Sequence, residues 1–480
     1  MTMYDFIKRT AGENGMRVAD FLALAPNNDP FYVGRPSQVQ AATWFTELWR
    51  RFDYGRGVHL RRIHYQIVSQ SPAVKLPNGR DYENTMNCWN YLTNAAKYAR
   101  YLEFVPGEAF VDRRNPEAII NITYPTPEDW GYCDPTPGYT VDDLAEWEQY
   151  HTPALPTLPE LPEHLPEMPE YTIQGYEWAQ GNEQPYHIEV WAEKTTMNDV
   201  LIPLCRRYNI NLVTGAGELS ITAVLAFLKR AQRADRPACI LYVSDYDPAG
   251  VGMPISVARK VEFYLRMARY NSEVRLEPVV LTAEQVADYD LPRVPVKDSD
   301  RCKKGWVATH GAGQTELDAL EALHPGELHD IIEQAILQYH DPTLLRRAGE
   351  QRYELKYMLD DYRASAIGDH ADEIRAIYGD YEQILTAYEQ TRQRFEELTH
   401  AFQTELNAYD ERLADIRQRA REVGTLIESD LLQIDINPET DYPLPEADLP
   451  TPEAAPLYDS QRSYGEQLPH YKNYRSGVAQ

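Results

Sequence analysis

The chain has 480 residues, 43% of them hydrophobic, with a formal net charge of −27, and that length is enough for two or three domains with real cores. No apolar run approaches the roughly 18 residues of a membrane span and residues 1–10 lack a signal-peptide pattern, so a cytoplasmic protein with no membrane contact is expected. Five scattered cysteines (Cys88, Cys133, Cys205, Cys239 and Cys302) form no C-x-x-C pair, which argues against a zinc ribbon or a dithiol redox centre and leaves reduced packing residues. A uniform negative charge would also argue against phosphate binding, but the charge is not uniform. Residues 1–114 carry fifteen Lys and Arg against eleven acids, whereas residues 115–184 carry fourteen acids and no Lys or Arg.

In chain order, helical periodicity runs over 36–51 and, after a glycine-containing break at 54–57, over 60–69; a third helix is expected over 81–102. Three helices followed by a short strand pair make the outline of a winged helix spanning 1–116. Its Lys97, Arg100, Arg113 and Arg114 are candidates to face a DNA backbone, the alternative being an ordinary solvated face. Residues 152–172 place proline at nearly every third or fourth position between acids, an extended spacer within an insert at 117–186. The insert, lacking cations, would compete with DNA for a basic groove if it lay there.

Beyond the insert, strands and helices alternate: strand 188–192, helix 198–208, strand 211–214, helix 220–234, strand 238–243, helix 254–270 and a strand near 278–281. This α/β alternation predicts a parallel, Rossmann-like sheet over 187–340. From residue 341 to 430 the pattern is helical. Apolar residues recur in steps of three and four at Phe395, Leu398, Phe402, Leu406, Tyr409, Leu413, Ile416, Ala420, Val423 and Ile427, the seam of a coiled-coil arm or of a helical hairpin, with Gly368 and Gly379 expected to interrupt it. The tail, 431–480, is acidic and proline-rich, and 437–456 is expected to be disordered or draped.

Chemistry concentrates where strands end. Ser244-Asp245-Tyr246-Asp247-Pro248-Ala249-Gly250 follows the apolar run 238–243. Alternation along an extended chain puts Asp245 and Asp247 on one side, where like charges repel unless a cation joins them. Pro248 stops the strand and Gly250 permits a tight turn. The plainer alternative is a loop whose acids cap the next helix. Glu193 also falls at a strand end, and ligands of parallel sheets sit outside those ends.

The order Val190-Trp191-Ala192-Glu193-Lys194, then Gly215-Ala216-Gly217 after the second strand, then Asp245-Tyr246-Asp247-Pro248-Ala249-Gly250 resembles a Toprim domain. With Leu212-Val213-Thr214-Gly215, it resembles more narrowly the topoisomerase VI A subunit and the related proteins that initiate meiotic recombination. The likeness covers about residues 188–320, including 289–295 and 315–320. That family carries a winged helix before the Toprim domain, with a nucleophilic tyrosine in an Arg-x-x-x-Tyr motif. Here Arg61 stands four residues before Tyr65, with Arg62 beside it, and His64 stands where a second aromatic is common.

The resemblance implies Mg2+, with Mn2+ as a substitute, held by Glu193, Asp245 and Asp247. Tyr65 is then the catalytic nucleophile, with Arg61 and Glu193 assisting and Arg61, Arg62, Lys97, Arg100, Arg113 and Arg114 contacting double-stranded DNA. It implies a homodimer in which one subunit's tyrosine works with the other's metal. No G-x-x-x-x-G-K-[ST] loop is present, so ATP-controlled strand passage would need a separate ATPase subunit. A phenol with a pKa of about 10 needs help to become a nucleophile, which the neighbouring arginines offer. His64 is a candidate local proton acceptor. Two other readings stand beside this one: a hydrolytic Toprim nuclease of a defence system with Tyr65 structural, and a non-catalytic DNA-binding scaffold.

Overall fold

The computed structural model describes residues 2–111, 115–124, 184–215, 217, 219–267, 269–296, 303–397, 403–432, 445–450 and 454–477. Its contacts divide the chain into two compact units, the first from Met1–Asp129, Gln184–Pro342 and Ala447–Gln480, the second from Trp130–Glu183 and Thr343–Glu446.

A five-stranded sheet organises the first unit. Strands β1 (His187–Ala192), β2 (Asn211–Thr214), β3 (Ala238–Val243), β4 (Val274–Val280) and β5 (Tyr458–Asp459) lie in the order β2-β1-β3-β4-β5. The first four are parallel, and β5 runs antiparallel against β4 with Tyr458 opposite Leu276. Strands β1, β2 and β3 are buried along their whole length because both faces are covered, which is why β3 reads as a continuous apolar run, while β1 and β2 also bury His187, Glu189 and Asn211. On one face Trp191, Val213, Ile240, Tyr242 and Leu276 pack with Phe227 and Leu228 of the helix Ile221–Ala234 and Val261 of the helix Gly252–Arg266. On the other, Ile188, Val190, Leu212 and Leu241 pack with Leu201 of the helix Asn198–Arg207 and Ile332 of the helix Glu327–Leu337.

The amino-terminal part of this unit holds the three expected helices, Pro36–Arg51, Leu60–Val68 and Met86–Tyr101. They share a core that includes Ala42, Phe45, Ile63, Ile67, Leu92 and Ala96. The third helix begins five residues later than the periodicity predicts. Thr85 caps it by accepting from the Cys88 N–H at 3.3 Å, while Asp81 bridges to Lys75 and Tyr82 is buried against Trp44. The expected strand pair after it is absent among the described residues. Phe110 makes one isolated parallel bridge to Val58, so the winged-helix outline is matched in its helices and not in its wing.

A helix that the periodicity did not reveal, Met3–Glu13, opens the chain behind a capping box from Thr2 and Asp5. The end of the chain returns to it. Inside the segment read as a tail, β5 and the helix Tyr464–Arg475 fold onto the sheet, burying Leu457, Tyr458, Leu468 and Tyr471. Each buried side chain of this size contributes about 1.5–3 kcal/mol. Residues 445–450 have no regular structure.

In the second unit three long helices are described: Leu344–Asp369, Ala371–Glu397 and Gln403–Leu432. Leu413, Ile416, Ala420, Val423 and Ile427 are buried against Ile377, Tyr381, Ile384 and Tyr388. The apolar seam is thus filled within the chain, as a hairpin. Gly379 lies inside its helix and does not interrupt it, whereas Gly368 sits one residue before a helix end. The side chains of Phe395, Leu398, Phe402 and Leu406 fall outside the described residues, as does most of the acidic insert. No described helix is long and apolar enough to cross a membrane.

Candidate functional site

Adjacent parallel strands β1 and β3 end in register, Ala192 opposite Val243, so Glu193 and the Ser244–Gly250 loop emerge at the same edge. The Glu193 N–H donates to the Val243 carbonyl at 3.0 Å. The glycine turn after β2 closes over this edge: Gly215 N–H donates to Ala192 O at 2.9 Å and Gly217 N–H to Glu193 O at 3.3 Å, with Gly217 at φ +108°. That φ favours glycine.

The loop after β3 is closed on itself. A Cβ at Gly250 would overlap the Asp245 backbone carbonyl, so only glycine fits there. Asp247 Oδ1 accepts from the backbone N–H groups of Ala249 at 2.8 Å and Gly250 at 2.6 Å, and Ser244 Oγ donates to Gly250 O at 3.1 Å. The extended alternation expected for the two aspartates therefore stops at Val243: Asp245 is buried, and Asp247 has one oxygen turned into the loop. Asp245 Oδ1 accepts from the Leu317 N–H at 2.9 Å, and Oδ2 pairs with the Lys194 ammonium, which also lies 3.7 Å from Glu316.

The charges here are poorly balanced. Glu193 is buried and its Oε2 has no hydrogen-bond partner. Burial, and next the nearby Asp245 and Asp247, push its carboxyl up to about 7 against the partial relief given by Lys194. Asp247 is also raised, chiefly by burial. Burial works against the Lys194 charge, but the bond and attraction to Asp245 raise its pKa nonetheless. One ammonium faces three carboxylates. By chemistry this donor set fits a hard divalent cation, three carboxylates with one buried oxygen unpartnered.

The oxygens of Glu193, Asp245 and Asp247 are nevertheless not gathered within 4.8 Å of one another. Among the described residues, the group that meets that spacing is His329, Asp330 and Glu333. Glu333 there is already bonded to Arg207 at 2.9 Å and to the Tyr208 hydroxyl at 2.6 Å, so its charge is answered without a metal. Lys194, quoted in the motif but given no role by the sequence reading, is the residue most intimately joined to the predicted ligands. Its signal was its position directly after Glu193.

The other predicted residues divide sharply. Tyr65 projects from its helix, 60% exposed, and Arg61 and Arg62 are exposed one turn before it. No described hydrogen bond or ion pair joins Tyr65 to the three acids. His64 is buried, with Nδ1 2.7 Å from the Tyr82 hydroxyl and Nε2 3.1 Å from Asn84 Oδ1. Both ring nitrogens are thus engaged, which removes His64 as a proton acceptor for its neighbour. Arg100 is withdrawn from the DNA-facing set too: it is buried, donating to Gly107 O at 2.7 Å and Thr222 Oγ1 at 2.9 Å and lying against Phe110. Lys97 is half-buried and donates to Asn27 O at 2.9 Å. Charge count alone cannot say which way a long cation turns. Arg113 and Arg114 lie outside the described residues.

Compared with known proteins, the chain matches no protein-family model and no curated protein.

Proposed function

We propose that the chain is a Mg2+-dependent DNA-cleaving enzyme resembling the topoisomerase VI A subunit, with a Toprim-like site at Glu193, Asp245 and Asp247 and Tyr65 as nucleophile. The observation that carries this reading is the carboxylate corner that one lysine only partly relieves: Glu193 held up to about 7, with a buried oxygen unpartnered, beside two aspartates at the carboxyl ends of parallel strands. Buried charges are ordinarily paired, and perturbed acids cluster at functional sites. Mg2+ or Mn2+ held by these carboxylates would neutralise charge at the scissile phosphate.

In this reading the Tyr65 phenol gives up its proton to solvent and its oxygen attacks phosphorus, the bond from phosphorus to the 3′ oxygen breaks, and the leaving 3′ oxygen takes up a proton from solvent. The product is a 5′-phosphotyrosyl linkage. One phosphodiester replaces another, so the break is reversible. Arg61 and Arg62, four and three residues before Tyr65, favour its phenolate and the DNA backbone. A homodimer brings the tyrosine of one subunit to the acids of the other, and a double-strand break needs both sites. A separate ATPase subunit enters if the break serves strand passage.

The test is incubation of end-labelled double-stranded DNA with protein and Mg2+, denaturation in detergent, and a search for DNA bound to protein. An adduct in the wild type that is absent in Tyr65→Phe is the expected result. Cleavage that survives Tyr65→Phe, leaves no adduct and vanishes in Asp245→Ala replaces this reading with a hydrolytic nuclease. DNA binding without cleavage under any metal leaves the scaffold.

A further inference from the structure

Tyr246, between the two aspartates, turns inward and is held on every side. Its backbone exchanges two hydrogen bonds with Thr315, N–H to carbonyl in each direction at 2.9 Å. Two residues on, the Leu317 N–H donates to Asp245 Oδ1. The Tyr246 ring packs edge-on against Trp306 at 5.0 Å between centroids and carries the Arg293 guanidinium over its face at 5.5 Å. Arg293 in turn donates to the carbonyls of His310 at 2.8 Å and Gly313 at 2.9 Å.

The Tyr246 hydroxyl meets His310 Nδ1 at 3.0 Å, and His310 Nε2 meets the Arg475 carbonyl at 3.0 Å. A carbonyl can only accept, so Nε2 carries the proton and a neutral ring leaves Nδ1 as acceptor for the tyrosine hydroxyl. Arg475 is the last residue of its helix, where carbonyls have no partner within the helix. His310 supplies that partner. Trp306 stacks on the imidazole at 4.2 Å, and Gly477, at φ +67°, lies so close that a Cβ would come within 3.1 Å of the ring.

We propose that His310 and Tyr246 are positioning residues for the metal-binding aspartates, joined in a relay that runs from the carbonyl end of the last helix through His310 to Tyr246, between Asp245 and Asp247. The relay gives the returning carboxyl-terminal segment a role beyond covering the sheet. It fixes the side chain of the residue between the two aspartates, and so the directions in which their carboxylates leave the backbone. Neither residue is one of the three proposed ligands. Outer partners of this kind orient ligands, and their loss costs about 10–100-fold in metal affinity.

This inference rests on the reading of Glu193, Asp245 and Asp247 as metal ligands, and one experiment separates the two. Full-length protein stripped with EDTA is titrated with Mn2+, free ion being followed by its electron paramagnetic resonance signal, in the wild type, Asp245→Asn, Tyr246→Phe and His310→Gln. Thermal unfolding without metal is measured in parallel. Tyr246→Phe keeps the ring and its packing and removes only the hydroxyl. The expected result is Mn2+ binding weakened about tenfold or more in both relay variants, with metal-free unfolding midpoints within a few degrees of the wild type. If His310→Gln does not fold, Tyr246→Phe decides alone. Wild-type affinity in folded Tyr246→Phe, with binding weakened in Asp245→Asn, overturns the relay and leaves the site standing. Binding indifferent to Asp245→Asn overturns the site and the relay with it.

Discussion

Strand β1 presents two buried glutamates four residues apart, and the fold treats them in opposite ways. Glu189 is fully buried within the strand, yet it accepts from Arg230 Nε at 2.6 Å and Nη2 at 2.9 Å, from Trp191 Nε1 at 3.0 Å and from Asn211 at 3.3 Å, with His187 Nε2 at 2.9 Å. Burial disfavours its charge, but Arg230 above all overrides that and holds its carboxyl well below the ordinary range. Glu193, just past the strand end, has a bare oxygen and a carboxyl raised to about 7. Arg259, buried between Asp29 at 2.9 Å and Glu262 at 2.8 Å, follows the first pattern. Where charge serves the fold, the chain supplies its counter-charge. At the carboxyl end of the sheet it leaves counter-charge short, which is what a site for an external cation requires.

The strongest way to break that contrast is to remove the partner from the paired glutamate. Arg230→Met leaves the buried Glu189 without its counter-charge, and a loss of about 3–5 kcal/mol is expected in urea unfolding. A loss under 1 kcal/mol would mean that the pairing is not what keeps Glu189 in the core. The unpaired glutamate should answer otherwise. Glu193→Gln relieves repulsion, so metal-free stability at neutral pH should rise, by on the order of 2 kcal/mol, while DNA cleavage should fall by about 10²–10³-fold. A variant that instead unfolds would make Glu193 structural.

The two glutamates also predict opposite responses to pH. Glu193 has a folded pKa above its ordinary 4.5. Between about pH 4.5 and 7 the folded chain therefore keeps a proton that the unfolded chain has released, and stability falls as pH rises through that window. Measured in EDTA as the difference between wild type and Glu193→Gln, the drop should be on the order of 2 kcal/mol. Saturating Mg2+ should offset it by binding the folded state. Glu189, with its pKa depressed, contributes stability that is present above its ordinary value and lost as pH falls below it. A flat Glu193 difference from pH 5 to 7 would mean its charge is already compensated.

What the sequence made legible follows the same division. Strand 238–243 could be read because both its faces are covered, so burial writes itself as an unbroken apolar run. Gly250 could be read as a tight turn, and its reason is local, a backbone carbonyl five residues away. The returning helix Tyr464–Arg475 could not. It contains Pro469, three tyrosines and three charged residues that mask an apolar stripe, and what it packs against, Phe6, Phe31 and Arg259, lies hundreds of residues away. Arg100 was illegible for a related reason: composition records that a cation exists, whereas its direction depends on a carbonyl contributed by Gly107. His310 carried no motif at all, and only the fold brings it to Tyr246.

The smallest expected effect is also the one on which the nucleophile assignment turns. Tyr65 and His64 are consecutive on one helix, one 60% exposed and the other buried with both ring nitrogens bonded. His64→Phe should leave the Tyr82 hydroxyl and Asn84 without their partner and cost about 1–3 kcal/mol. Tyr65→Phe removes a hydroxyl that bonds to no described group, so unfolding free energy should stay within about 0.5 kcal/mol of the wild type. A helix that presents a large aromatic to solvent gains little stability from it, and the hydroxyl gives it none. If Tyr65→Phe is neutral to folding and still abolishes the DNA adduct, the loss belongs to the reaction. If it is neutral to both, the exposed ring is a surface residue and cleavage falls to the carboxylate corner alone.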